Sequence, residues 1–183
     1  MISVDDNCPF CREPVLDNEE CDKSIMKRVE ANDPAAMNKM GLMRYEEGDY
    51  DGAVKYFSKG AELEDLMAHY HLGVMYRCGK GVEKDVGKAV YHYEIAAIGG
   101  DPYARNNLGC IEEKNGMMER AVKHFIIAAN FGHTGAMNKL WEYYKDGNIT
   151  KEDLEATLRA HQAAIDAMKS PQREAAAAAG YGG

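Results

Sequence analysis

The chain has 183 residues, of which 45% are hydrophobic and 28% charged, with a formal net charge of -8. That is the length of about one domain with enough apolar residues for a core. The acidic balance argues against a general nucleic-acid binder and against an anionic membrane surface, both of which call for a basic face. No apolar run reaches the roughly 20 residues needed to span a bilayer. The first residues, MISVDDNCPFC, lack the basic and apolar regions of a signal peptide. These features point to the cytosol or nucleus, where five cysteines would not form a disulfide framework.

Residues 1–31 form an acidic segment, with eight acidic against four basic side chains, and read as a solvated linker. Within it lies Cys8-Pro9-Phe10-Cys11-Arg12-Glu13-Pro14. A redox C-x-x-C wants a βαβ context and a helix starting at its first Cys, and Pro9 speaks against one. The spacing suits half of a zinc site, and C-P-x-C-R-x-P resembles the final ligand pair of a RING finger, the ubiquitin-ligase module. That family needs eight ligands, and a structural zinc site wants four. Here Cys8 and Cys11 stand with only Cys21 nearby, and no His precedes His69. The expectation is therefore no cofactor, with zinc only if missing or partner residues complete the site. The stub suggests a longer RING-containing protein or a RING that has been lost.

From Asp33 onward the chain repeats itself. Ala36, Ala68, Ala104 and Ala136 anchor four similar stretches, at intervals of 32, 36 and 32. Met or Leu follows four residues later, then Gly41, Gly73 and Gly109, with Trp141 in the fourth unit. A second pattern, DGAVKYFSKGA, GKAVYHYEIAA and ERAVKHFIIAA, recurs around Ala53, Ala89 and Ala121. Apolar residues at i, i+3, i+4 and i+7 make both patterns helical. A glycine in fixed phase costs roughly 1 kcal/mol of helix propensity, so it needs a packing reason: close approach of the paired helix. Asp33-Pro34 and Asp101-Pro102 read as N-cap and N1. Gly60, Gly99 and Gly132 read as C-caps.

The units therefore fall at about 32–65, 66–101, 102–133 and 134–169. No unit can bury its own apolar face, and stacking supplies the core. In the last unit Thr150 and Asp153 read as a capping box, ahead of a capping helix with Leu154, Leu158, His161, Ile165 and Met168 along one side. Residues 170–183, rich in Ala and Gly, read as a disordered tail.

Residues 68–100 closely resemble the Sel-like repeat, the sel-one-like branch of the tetratricopeptide superfamily. The matching positions include Ala68, Leu72, Gly73, Tyr76, Gly79, Gly81, Val82, Asp85, Lys88, Ala89, Tyr93, Ala96, Ala97 and Gly100. The first and third units lack the Gly-Lys-Gly-Val loop and look like plainer tetratricopeptide units. The resemblance covers roughly residues 32–168. It implies an all-α fold, a right-handed α-solenoid of about four helix–turn–helix repeats with a C-terminal capping helix. It also implies an adaptor or scaffold that is no enzyme.

In such solenoids the first helix of each pair lines the concave face. The groove-facing stripe two residues past each anchoring alanine holds Asn38, Tyr70, Asn106 and Asn138, and Arg77 and Lys145 lie further along. A carboxamide offers donors and acceptors that can clamp the backbone of an extended peptide. The same asparagines could equally bond across interhelix turns or reflect duplicated sequence. The expected partner is a protein or peptide, with no nucleic acid and no membrane. The alternative is a substrate-recruiting fragment of a RING-type ubiquitin ligase, with a ubiquitin-pathway partner. His69-x-His71 splays its two rings by about 200° on a helix. His92 and His124 take the phase of Tyr56 and read as packing aromatics.

Overall fold

In a computed structural model the backbone is described for residues 18–178 and the side chains for residues 23–169. Nine helices follow one another there: α1 Asn18–Glu30, α2 Pro34–Glu46, α3 Tyr50–Glu62, α4 Leu66–Cys78, α5 Val86–Ile98, α6 Pro102–Lys114, α7 Met118–Asn130, α8 Thr134–Lys145 and α9 Lys151–Ala178. The fold is all-helical, a solenoid of stacked pairs, α2/α3, α4/α5 and α6/α7, continued by α8 and α9.

Each pair is closed by one contact. A Cβ built on Gly41, Gly73 or Gly109 would lie 2.4 Å from the Phe57 ring, 2.6 Å from Tyr93 or 2.7 Å from Phe125. Those three rings are fully buried. The glycine on the first helix is thus the socket for an aromatic ring on the second, which is why the helix tolerates its unfavourable propensity. Between pairs the alanines do the packing. Ala53, Ala68, Ala89, Ala104, Ala121 and Ala136 are all fully buried.

Helix starts follow the expected chemistry. Asp33, Asp49, Asp65, Asp85 and Asp101 each accept a backbone N–H from the first turn. His133 does so with Nδ1, and Thr150 accepts from Asp153 N–H at 3.1 Å. Of the three glycines expected as C-caps, Gly99 caps α5 and Gly132 follows the Phe131 cap with φ 87°. Gly60 instead lies inside α3, where a Cβ would come within 2.9 Å of Ala68.

The loop that only the second repeat carries fastens it to the first. Gly79 ends α4 in the left-handed conformation, and Gly81, at φ 65°, has its α-carbon against the Tyr50 carbonyl. Lys80 Nζ donates to the Tyr45 hydroxyl at 2.7 Å and stands 4.6 and 4.9 Å from the Tyr45 and Tyr50 ring centres.

Three expectations are corrected. The segment 18–30 is no linker: α1 buries Ile25 and Val29 against Ala36, Met37 and Met40. Its apolar positions are few and embedded in charge, so its pattern alone does not separate it from solvated chain. The tail does not begin at residue 170, because α9 continues through Ser170-Pro171 to Ala178. Glu and Ala are strong helix formers, and their run offsets the proline. The stripe expected along the capping helix is only partly buried. With Trp141 at the glycine position, α9 packs against α7 as well as α8 and buries Leu154, Thr157 and His161. Leu158 and Met168 remain exposed.

Candidate functional site

The first helices α2, α4, α6 and α8 share one side of the solenoid, where α4 and α6 touch directly. Two clefts open along this side. The first, of about 190 Å³, lies between α2 and α4 and is lined by Leu42, Tyr45, Phe57, Tyr70, His71, Val74 and Met75. Tyr70 comes from the stripe that sequence phase assigned to the groove, Val74 stands one turn beyond it, and Leu42 and Tyr45 stand one and two turns beyond Asn38. The second, of about 230 Å³, lies between the C-terminal ends of α4 and α6. Arg77, Lys84 and Lys114 bring three cations to it, with Val86 and Ile111 as its apolar lining and the thiols of Cys78 and Cys110 alongside.

The predicted residues are not equivalent. Tyr70 sits in an aromatic row, 5.2 Å from His71 and 6.2 Å from both Tyr93 and Tyr103. Burial and then the nearby Asp101 carboxylate push its phenol up from the ordinary range. Arg77 is half-buried with Nε hidden and without a hydrogen-bond partner among the described residues, and so is Asn38 Oδ1. Asn106 is half-buried outside both clefts, and Asn138 and Lys145 are exposed. The three asparagines thus do not form one continuous clamp. Repeat phase carries a residue to the same side, but the neighbouring side chains decide whether it faces a cleft. Cys8 and Cys11 lie outside the described residues.

Sequence phase missed His71, Lys84 and Lys114. His71 stacks on Phe57 at 4.7 Å, and its Nε2 is buried without a partner among the described residues. Its ring is held below the ordinary histidine pKa by burial. The two lysines come from a loop and a helix end, to which helical phase does not apply.

Toward the fourth repeat the side turns mixed in charge. Lys139 pairs with Glu113 at 3.3 Å and Glu142 at 3.4 Å. Burial raises the Cys110 thiol, and the neighbouring Glu113 raises it further, so the group is a protonated thiol rather than an activated nucleophile. Among the described residues no three His, Cys, Asp or Glu side chains gather as a metal cluster, and no helix is long and apolar enough to cross a membrane.

Comparison with known proteins gives the repeats their name. The family model for the Sel1 repeat matches residues 34–65 and 66–101. The chain carries Sel1 repeats. The Sel1 repeat protein from Oxalobacter formigenes has a similar crystal structure, with a TM-score of 0.69 at 33% identity over 82% of this chain and 65% of that one. A second similar structure is c5321, a protective antigen of uropathogenic Escherichia coli strains with an SLR fold. It has a TM-score of 0.66 at 29% identity, over 79% of this chain and 32% of that one. HcpC of Helicobacter pylori strain J99, named as a candidate β-lactamase, is 39% identical over 56 residues. Those residues are 31% of this chain and 19% of HcpC. The chain thus matches under a fifth of HcpC and just under two thirds of the Oxalobacter protein. The Sel1 match coincides with the two pairs joined by the Gly79–Val82 loop.

Proposed function

We propose that this Sel1-repeat solenoid is an interaction scaffold that binds an extended segment of a partner protein along its first-helix side. Sel1 repeats generally serve as protein-interaction scaffolds. The single observation that carries the reading is convergence. Side chains of the first helices of two successive repeats, Leu42 and Tyr45 of α2 with Tyr70 and Val74 of α4, line one aromatic cleft. Its lining includes His71, whose Nε2 is buried without a partner among the described residues, and Arg77 Nε is in the same state at the second cleft. Aromatic residues and Arg are the side chains that anchor protein interfaces, because they combine large buried area with a polar end.

The test is comparative capture and cross-linking with the full chain. Proteins held by the parent should be lost by Tyr70→Ala with Val74→Asp, and retained by Lys55→Glu on the second-helix side. Equal retention by both variants would show that binding does not use this side.

A further inference from the structure

On the opposite side of the second repeat, His69 of α4 and His92 of α5 bring their Nδ1 atoms to 2.9 Å. Both rings are held in place. His69 is 8% exposed, and its ring is turned toward the Ala61 carbonyl, which favours a proton on it. His92 lies flat on Tyr76, with centres 5.6 Å apart and planes 6° apart, and meets Tyr91 edge-on at 5.1 Å. The pair borders a surface cleft of about 260 Å³ that Ser58, Glu62 and Leu72 also line.

As neutral rings the two imidazoles share one N–H: one Nδ1 donates and the other accepts. The same separation suits a chelate once each ring turns its lone pair off the line between the two nitrogens. With metal–nitrogen bonds of about 2.0–2.1 Å, two nitrogens 2.9 Å apart subtend about 90° at the ion. A tetrahedral pair would need about 3.3 Å. The right angle is that of neighbouring ligands in square-planar or tetragonal sites, which copper(II) and nickel(II) adopt with nitrogen ligands. The Ala61 carbonyl beside the His69 ring is also the kind of outer partner that fixes a ligand's tautomer.

The other repeats provide internal comparisons. The positions of His69 and His92 hold Met37 and Tyr56 in the first repeat, and Arg105 and His124 in the third. The two imidazoles therefore come together in the second repeat as a departure from the repeat pattern. Glu62 in the cleft favours a cation and Lys88, close to His92, opposes one.

We propose that His69 and His92 form a chelating site for a divalent copper or nickel ion that staples α4 to α5. On binding, the His92 proton moves from Nδ1 to Nε2, and both Nδ1 lone pairs go to the metal. Water fills the remaining positions.

The test titrates the full chain with copper(II) in a non-chelating buffer. Every sample carries Cys8→Ser and Cys11→Ser, which keeps the N-terminal thiols from competing. One equivalent should bind, with a two-nitrogen hyperfine pattern in the electron paramagnetic resonance spectrum. The thermal midpoint should rise, because the ion binds the native state. His92→Phe and His69→Gln should each abolish these changes while circular dichroism reports a folded chain. Two variants are read so that a folding defect in one still leaves a decisive result. His124→Phe should bind copper as the parent does. Unchanged copper binding in either folded variant at the pair would overturn the site. So would zinc binding there more tightly than copper, since it would contradict the right-angle geometry.

Discussion

Arg105 of α6 donates from its guanidinium to the Ala97 carbonyl at the end of α5, across 2.9 Å. The same arrangement recurs along the solenoid. The His161 ring meets the Ala129 carbonyl of α7 at 2.9 Å, and His69 faces the Ala61 carbonyl of α3. Ala61, Ala97 and Ala129 are one position seen in three repeats. Each lies in the last turn of a second helix, where its carbonyl accepts one turn N–H, from Glu64, Gly100 or Gly132, and keeps a second lone pair. A polar side chain of a following helix is aimed at that second lone pair, so the helix end is tied to its neighbour.

Replacing Arg105 tests this tie. Arg105→Ala should cost about 1.5–3 kcal/mol, the range for a hydrogen bond made by a charged group. Arg105→Met, which keeps much of the stem, should lose a similar amount if the hydrogen bond rather than packing is responsible. Chemical denaturation of both variants measures it. A Met variant as stable as the parent would assign the effect to packing.

The glycine sockets make a second prediction. Gly73→Val places its Cβ 2.6 Å from the Tyr93 ring, which is fully buried and cannot retreat. Overpacking of this kind costs about 1–3 kcal/mol, more than the helix propensity that any residue other than glycine returns. The thermal midpoint of Gly73→Val should fall. Gly73→Val with Tyr93→Leu should recover part of the loss, because the smaller side chain leaves room for the valine.

The Gly79–Val82 loop is the third subject. Lys80→Ala removes a hydrogen bond and two cation–π contacts at the surface and should lower stability slightly. Gly81→Ala should cost more. Its Cβ would lie 2.4 Å from the Tyr50 carbonyl oxygen, and φ is positive as well. Hydrogen exchange should show the greatest loss of protection at the start of α3 and the end of α4, next to the loop. A uniform loss over all helices would contradict the clip.

Stability should also fall in mild acid. Burial, then the neighbouring His69 and Lys88, brings the His92 pKa from the ordinary histidine value near 6.5 down to about 4. His69, His71, His124 and His133 are lowered as well, burial being the first cause in each. A group that titrates lower when folded contributes its full stability above the unfolded pKa, near 6.5, and loses it as pH falls through the folded value. His133 adds a specific reason, since protonating Nδ1 breaks its cap on Ala136 N–H. The unfolding midpoint should drop between about pH 6.5 and pH 4, and His92→Phe should flatten that decline. A profile unchanged by His92→Phe would count against it.

Much of this architecture can be read directly from the residues. The 32- and 36-residue intervals of the anchoring alanines set the helix pairs, Asp33 and Asp101 mark two of the starts, and Gly41, Gly73 and Gly109 announce close packing. These features are local or periodic, and their physics is that of a single helix or a repeated unit. They also select the groove stripe, from which Tyr70 and Arg77 reach the clefts.

Contacts between residues of unlike phase depend on tertiary packing. Ile25 and Val29 give α1 too short a pattern, and its role appears only where Met37 and Met40 lie open to it. Trp141 signals a departure at the fourth repeat but not its result, the seating of α9 across α7. His69 and His92 stand 23 positions apart, and only the crossing of α4 and α5 sets their nitrogens 2.9 Å from each other. Sequence determines which helices form and which faces they bury, because propensity, capping and periodicity act along the chain. Tertiary structure decides which side chains meet, because that depends on the distance and rotation between helices, and these are set jointly by all the residues packed between them.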